Sequence, residues 1–415
     1  MNFGRVLDSA ILGVFSNRAF ALFTAGNSLS LVGLWVQRLA VGWLTWELTQ
    51  SGFWLGAVAF ADLFPVVFIG PFGGVLADRT DRKMILVVCK ALAAVHGLAL
   101  AALIYADLVN IEVLFGLSLL GGIVIAVQQP ARLAIVPSLV TAEYIGPAVA
   151  INSVIFNLAR FVGPAVAGLL IAWAGIAEAF VFVGFSHAAI VFILLGLNLP
   201  SEKAFHHQGI VAEFVEGIRY AFTHPALGPL LILSIIGSIL ARPVYELLPG
   251  FADEVFHQGA DGFAILTSAV GFGAVAAGLY LAQRTGIAGL TAMTIAGFAL
   301  SGVLCVIFGL FSGFWVGVVA IALSGTMMVV FGTGAQTLLQ SAVDDRMRGR
   351  VLSVWGITFR GGPAVGALAM GWLAEFWGFG PPVAMGGIVC VIIGVVVYRR
   401  RAPLIALLEG DQVTK

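Results

Sequence analysis

The chain has 415 residues, of which 60% are hydrophobic and only 10% are charged, and its 21 basic residues equal its 21 acidic residues in number. Its mean hydropathy is +1.05. This composition excludes a soluble globular protein, because so few charged residues cannot provide a solvated surface, and it indicates that lipid surrounds the chain.

Continuous apolar stretches follow one another along the chain, each long enough to cross a bilayer core of ~30 Å as a helix of roughly 20 residues. The predicted spans are 19–46, 52–76, 84–106, 111–136, 145–174, 177–199, 226–250, 262–283, 287–311, 313–339, 351–376 and 381–398. We therefore predict an all-α integral membrane protein of twelve transmembrane helices. A β-barrel would instead show alternating segments of about ten residues.

The basic residues predict the orientation of these spans. Fifteen of them fall in the loops and termini on one side, while the opposite loops carry acids such as Asp107 and Glu178. The remaining six lie within or at the ends of spans: Arg38, Lys90, Arg132, Arg160, Arg242 and Arg360. By the positive-inside rule we expect both termini to be cytoplasmic, in a multi-pass protein of the bacterial cytoplasmic (inner) membrane.

A long polar interruption at 200–225 divides the chain nearly in half. Apolar residues recur within it at helical spacing from Ile210 to Phe222, which predicts an interfacial amphipathic helix. The expected organisation is a six-helix bundle at 1–199, a cytoplasmic linker at 200–225, a second six-helix bundle at 226–400 and a cytoplasmic tail at 401–415.

The two halves resemble each other in sequence. A shift of 204 residues places four residues of the first half on identical ones: Ser30, Gly33, Arg38 and Gly74 on Ser234, Gly237, Arg242 and Gly278. A shift of 199 residues places Gly163-Pro164 on Gly362-Pro363. These nearby offsets predict a duplicated unit and two pseudo-symmetric bundles.

The loop after span 2 carries a glycine, Asp-Arg and Arg-Lys signature: Gly74, Asp78, Arg79, Arg82 and Lys83. It resembles the corresponding loop of the major facilitator superfamily, although Asp81 stands where that pattern usually has glycine. Gln37-Arg38, Pro130-Ala131-Arg132 and the segment 348–353 resemble the branch that includes the enterobactin exporter and macrolide efflux proteins. The resemblance covers the whole chain and implies the major facilitator fold.

An acid at the cytoplasmic end of span 2 can meet the positive N-terminal dipole of another helix, and span 11 begins near Val351. We therefore expect Asp78 and Arg79, with Arg82 and Lys83, to form a cytoplasmic latch between the halves. The alternative for the basic members is topological anchoring by the positive-inside rule.

Charges inside spans are costly and therefore mark functional positions. The transport and gating candidates are Arg38, Asp62, Arg160, Arg242, Glu246 and Arg360. One interpretation is an outer gate of ion pairs, in which Arg242 and Glu246 lie four residues apart on one helix face. The other is that Asp62 or Glu246 changes protonation during the cycle.

Arg160 and Arg360 precede the two Gly-Pro segments, one in each half, and are predicted to lie at symmetric hinges beside a cavity. Arg160 either contacts an anionic or carbonyl-rich substrate or pairs with a backbone carbonyl or an acid. Polar neighbours within the spans have two interpretations: they line the same cavity, or they only form hydrogen bonds between packed helices. These residues are Gln128, Gln129, Asn152, Asn157, Gln336 and Thr358.

Sequence motifs of enzymes and cofactor sites are missing. No nucleotide-binding Gly-Lys-Ser/Thr loop occurs, no His pair has ligand spacing, and the three cysteines lie within apolar runs. We expect no enzyme, metal, cofactor or nucleic-acid partner, with a proton gradient as the energy source. The predicted function is a monomeric, proton-coupled exporter of a small amphipathic molecule such as a siderophore, macrolide or other drug, working by alternating access. The alternatives are a lysophospholipid or lipid flippase, a proton-coupled uptake carrier, and a membrane scaffold or receptor, which would not need buried charges in both halves.

Overall fold

The computed structural model describes residues 13–197, 210–284, 286–344 and 347–413, and the regular structure within these ranges is helical throughout. The longer helices are α1 Arg18–Thr49, α2 Gly52–Leu63, α3 Pro65–Arg79, α4 Arg82–Tyr105, α5 Ile111–Ser138, α6 Ile145–Trp173, α7 Ile176–Gly196, α8 Ile210–Thr223, α9 Leu227–Leu240, α10 Gly259–Ala282, α11 Leu290–Leu310, α12 Phe314–Ala342, α13 Arg348–Trp377, α14 Gly380–Arg399 and α15 Arg401–Val413.

Eleven helical segments of the described ranges are long and apolar enough to cross a membrane. The twelfth predicted span, 351–376, corresponds to α13, which has 30 residues but carries Arg348, Arg350 and Arg360 and is less apolar. Every predicted span thus coincides with helix, and the prediction of an all-α membrane protein is confirmed.

Two spans predicted to be continuous are broken. Span 2 divides between α2 and α3, where Pro65 begins the second helix. Span 7 passes from α9 into a 3₁₀ turn at Arg242–Tyr245, an α-helical turn at Leu248–Gly250 and a π-helical turn at Phe251–Val255. Pro243 and Pro249 account for the irregularity, because proline lacks the N–H of the α-helical ladder and clashes with the preceding turn.

The chain forms two compact units. Unit 1 comprises Met1–Leu44 and Phe68–His206, and unit 2 comprises Thr45–Val67 and His207–Lys415. The end of α1 and the whole of α2 therefore group with unit 2, unlike in the predicted division at 199. The predicted domain limits stay a prediction.

Both units use glycine for close helix approach. In unit 1 a Cβ on Gly163 of α6 would collide with Trp35 of α1, and in unit 2 a Cβ on Gly362 of α13 would collide with Ser238 of α9. The two glycines are equivalent under the shift of 199 residues, and the helices they touch, α1 and α9, are related by the shift of 204 residues. The paired Gly-Pro segments are thus positions where helices touch.

The linker and the tail both contain helices that dock within unit 2. Arg350 at the start of α13 donates to Glu216 of α8 at 2.6 Å, and the Tyr220 hydroxyl donates to Asp344 at 3.0 Å. Burial and the hydrogen bond to Asp344 raise the pKa of the Tyr220 phenol, so this donor keeps its proton. In the tail helix α15, the Glu409 carboxylate accepts hydrogen bonds from the backbone N–H groups of Gly289 and Thr291, each at 2.7 Å, and so caps α11.

Candidate functional site

Three arginines gather around two aromatic rings in unit 1. The guanidinium carbons of Arg38 and Arg160 lie 5.4 Å and 5.5 Å from the centre of the Trp35 ring. The Phe156 ring lies 6.1 Å from Trp35 in an edge-to-face arrangement, and Arg132 lies 5.5 Å from Phe156. We call these five residues the cation–aromatic cluster.

Helix geometry explains the cluster. Trp35 and Arg38 are three residues apart on α1, so that both side chains reach the same face, and Phe156 and Arg160 are likewise four apart on α6. Arg132 enters from α5, is only 6% exposed, and donates to Gln129 at 3.4 Å. Three helices thus bring their cations to one place.

The interior of unit 1 is rich in cations. Besides the three arginines of the cluster it contains Lys90, in α4. The acids with described side chains in unit 1 lie at helix ends: Asp81, Asp107, Glu112, Glu143 and Glu178. Because charges in a membrane interior are expensive, a group of cations there marks a functional position.

Several predicted site residues occupy this region. Arg38 and Arg160 share the Trp35 ring, and Gln128 is buried beside Gln129 on α5. The Asn157 amide donates to Ser153 of its own helix at 2.9 Å, which fits the helix-packing alternative.

Part of the cluster lies outside the site residues predicted from the sequence. Arg132 and Lys90 were visible as charges within spans, and that signal would have been sufficient to include them. Trp35 and Phe156 are two of 9 Trp and 31 Phe residues, and no spacing set them apart.

A second group of polar contacts fastens α2 to α13 within unit 2. The Glu375 carboxylate accepts from the Ser51 hydroxyl at 2.7 Å and from the Phe53 backbone N–H at 2.9 Å. We call this group, with its glycine contacts, the α2–α13 seam. A separate hydrogen bond within unit 2 joins the Trp46 indole N–H, near the end of α1, to Asp253 in the π-helical turn at 2.8 Å.

Glycine makes the seam close. A Cβ on Gly56 would collide with the Ala367 backbone, and one on Gly371 would collide with Gly52. The helices therefore touch along their backbones, and the hydrogen bonds to Glu375 close one end of the contact.

The backbone at Arg242 differs from the α-helix assumed for the predicted ion-pair gate. Arg242 donates to the Phe359 carbonyl oxygen at 2.6 Å, and its guanidinium lies 3.9 Å from the Phe359 ring centre. Arg242 belongs to a 3₁₀ turn with about three residues per turn, and the ion-pair gate itself stays a prediction. Glu246 and Arg360 are half-buried.

Three other candidates lie in unit 2. Asp62 is half-buried in α2, two residues before the break at Phe64, and groups with unit 2 rather than with the first half. Gln336 is half-buried in α12, and the Thr358 hydroxyl donates to Val354 of its own helix at 3.0 Å.

The signature loop is described in part. Asp81, which departs from the superfamily pattern, accepts from the Lys83 N–H at 2.9 Å and caps α4. The Lys83 ammonium donates to the Leu197 carbonyl oxygen at 2.6 Å, a contact within unit 1. Arg82 donates to the Ala77 carbonyl oxygen at 3.4 Å and Arg79 is exposed. The Asp78 side chain lies outside the described residues, so the latch stays a prediction.

Repeated helical units, broken helices and buried charges define a secondary membrane transporter. Solved transporters share the fold. A peptide transporter of the POT family superposes with a TM-score of 0.76 at 12% identity, covering 94% of this chain and 96% of that one. The nucleoside transporter NupG gives a TM-score of 0.70 at 14% identity, covering 92% and 98%.

The chain belongs to the transmembrane secretion effector family of the major facilitator superfamily, whose sequence profile matches residues 9–412. A staphyloferrin A transporter of Staphylococcus aureus is 25% identical over 91% of this chain and 94% of its own length. An enterobactin exporter, EntS, of Citrobacter koseri is 26% identical over 90% and 88%, and that of Shigella boydii is 27% identical over 91% and 90%.

These findings confirm the predicted family, the major facilitator fold and a transport function rather than catalysis. The protein is a multi-pass membrane transporter with a small-molecule substrate, and the prediction of efflux is confirmed at this level. The flippase and uptake alternatives are not favoured.

Proposed function

We propose that the protein exports a small anionic molecule of the siderophore class from the cytoplasm, with the inward proton gradient as its energy source. The cation–aromatic cluster is the observation that carries this proposal. Three guanidinium groups and two rings in a membrane interior suit a ligand that combines carboxylate or carbonyl oxygens with ring or apolar surface.

The names of the relatives agree with this substrate class. One is a staphyloferrin A transporter and others are enterobactin exporters. At 25–27% identity these names support a class of substrate and leave the particular molecule to experiment.

The cluster offers two kinds of contact at once. Arginine binds carboxylate through two parallel N–H···O bonds, and hydrogen bonds to a charged partner contribute about 1.5–3 kcal/mol each in mutational series. Cation–π contacts contribute about 0.5–2 kcal/mol more and hold each guanidinium plane against a ring. The rings thereby pre-orient the arginines, which lowers the cost of ordering them on binding.

Orientation and energy source complete the proposal. The distribution of basic residues supports cytoplasmic termini in the inner membrane, with the protein acting as a monomer. In that orientation the α2–α13 seam lies at the outer end, and opening toward the outside requires the contact between Gly56 and Ala367 to separate. The sequence carries no nucleotide-binding loop, which leaves an ion gradient or the substrate's own gradient, and we infer that the proton gradient supplies the energy.

Ligand binding to purified protein tests the substrate class. Arg160→Gln keeps a polar side chain but removes the charge, so we expect binding of a carboxylate siderophore to weaken by about 10-fold or more. Binding of a neutral macrolide should change by less than about 3-fold, because it makes no charge-assisted bond. Arg219→Gln, at an exposed arginine of the linker helix α8, is the matched control.

Equal weakening for both ligands, or none for either, would contradict an anion site at Arg160. Tight binding of the macrolide alone would indicate that neutral drugs are the substrate class.

A further inference from the structure

A buried chain of three polar side chains crosses unit 1. The Lys90 ammonium of α4 donates to the Ser30 hydroxyl oxygen of α1 at 2.7 Å, and that oxygen lies 2.8 Å from Nδ1 of His187 in α7. Lys90, Ser30 and His187 are 3%, 0% and 2% exposed. Eight residues separate Lys90 from the start of α4, which places it about 12 Å along the helix.

A protonated lysine only donates, so the Ser30 oxygen accepts from Lys90. The role of His187 Nδ1 depends on the ring tautomer: with the ring proton on Nε2, Nδ1 accepts the Ser30 hydrogen. The result is a continuous N–H···O–H···N path between two titratable groups.

The surroundings contribute cations. Arg132 reaches from α5 within electrostatic range of Lys90, and Cys89 is its neighbour on α4. His96, on the same helix, lies within electrostatic range of His187, and its Nε2 is 3.0 Å from the Leu117 carbonyl oxygen. The described carboxylates of unit 1 are at helix ends, so Lys90 is a buried cation among other cationic or neutral groups. Retaining such a group in an apolar core is costly unless its proton can leave.

The second half of the protein shows that the fold does not require the Lys90–Ser30–His187 hydrogen-bonded chain. The shift of 204 residues that relates the halves places Ser30 on Ser234 and Lys90 on Thr294. Both of these residues are buried, and each hydroxyl donates to a carbonyl of its own helix at 2.7 Å. The repeat unit therefore packs equally well with two small hydroxyl residues, and the lysine and histidine of the first half require another explanation.

We propose that the Lys90–Ser30–His187 chain is the proton-binding site that couples the transporter to the proton gradient. The inference rests on the proposed proton-coupled function and assigns its site. One proton moves from Lys90 Nζ to the Ser30 oxygen while the Ser30 hydrogen passes to His187 Nδ1, which leaves a neutral amine and an imidazolium. Only N–H and O–H bonds change, and the reverse transfer restores the lysine charge.

Arg132 links the coupling site to the cation–aromatic cluster. It belongs to that cluster, and its charge acts on Lys90. A proton on Lys90 and an anion at the arginines therefore influence each other across one side chain. This contact by itself favours joint binding of the proton and the anion, so export in exchange for protons requires that the two bind in different states of the transporter.

The test uses the full-length protein in proteoliposomes, with a carboxylate siderophore as substrate. For the wild type we expect accumulation driven by an imposed pH gradient. Lys90→Gln should lose that accumulation by at least about 10-fold yet keep downhill exchange, because the amide does not gain or lose a proton near neutral pH. Lys90→Arg keeps a charge that does not titrate and should also lose the drive, which a structural role for the cation would not require.

Ser30→Ala and Ser234→Ala form a matched pair, since both remove a buried hydroxyl from equivalent positions. Only Ser30→Ala should alter the pH dependence of exchange. If Lys90→Gln and Lys90→Arg retain gradient-driven accumulation with the wild-type pH dependence, the chain is not the coupling site. If the wild type shows no drive by a pH gradient, the proposed proton coupling itself fails.

Discussion

Replacing Glu375 by alanine should favour the state in which the α2–α13 seam is open. The substitution removes the acceptor of the bonds from the Ser51 hydroxyl and the Phe53 N–H. Hydrogen bonds to a charged group contribute about 1.5–3 kcal/mol, and we take about 1 kcal/mol for each because Glu375 is exposed. The total of about 2 kcal/mol corresponds to a shift of about 30-fold in the equilibrium.

Spin labels on cysteines replacing Phe53 and Trp377 would report the separation of the two helices. Both side chains are exposed, with 37% and 52% of their surface accessible, and the three native cysteines are buried. The Glu178→Ala variant is the control, since this acid also accepts a surface hydrogen bond, from Tyr105 at 2.8 Å. A distance distribution in Glu375→Ala identical to that of the control would refute the assignment of the seam as a gate.

Two further predictions concern acids chosen from the sequence. Asp78→Asn should slow transport while leaving the Kd for substrate within about 3-fold, because a latch acts on the equilibrium between states rather than on the binding site; equal loss of binding and transport would contradict it. Asp62→Asn tests the alternative coupling site: with coupling at Lys90 we expect pH-driven accumulation to persist, whereas its loss with downhill exchange intact would assign the proton to Asp62.

The fold could be predicted from the sequence because hydrophobic length alone determines a membrane helix. The repeat offsets also anticipated that Gly163 and Gly362 contact related helices. The two helix breaks are marked in the sequence by Pro65 and Pro243, because proline interrupts the hydrogen bonds of an α-helix. Apolar residues continue through both breaks, so each span looks like one continuous helix in the sequence.

Only part of the candidate site could be predicted from the sequence. Charges within spans stand out in any sequence, so Arg38 and Arg160 were found. Contacts between remote residues leave no such trace: Ser51 and Glu375 are 324 residues apart, and neither is unusual at the end of a span. The Lys90–Ser30–His187 chain likewise depends on three helices meeting, which spacing along one helix cannot reveal.

An export assay in cells tests most directly whether the protein exports its substrate through the cation–aromatic cluster. Cells lacking their own exporters would be loaded with a carboxylate siderophore, and the intracellular amount would be followed with the wild type or with the double variant Arg132→Gln, Arg160→Gln in the membrane at equal level. We expect the wild type to lower the intracellular amount and the double variant to leave it near that of cells without the transporter. An unchanged amount with the wild type, or equal export by the double variant, would contradict export through the cation–aromatic cluster.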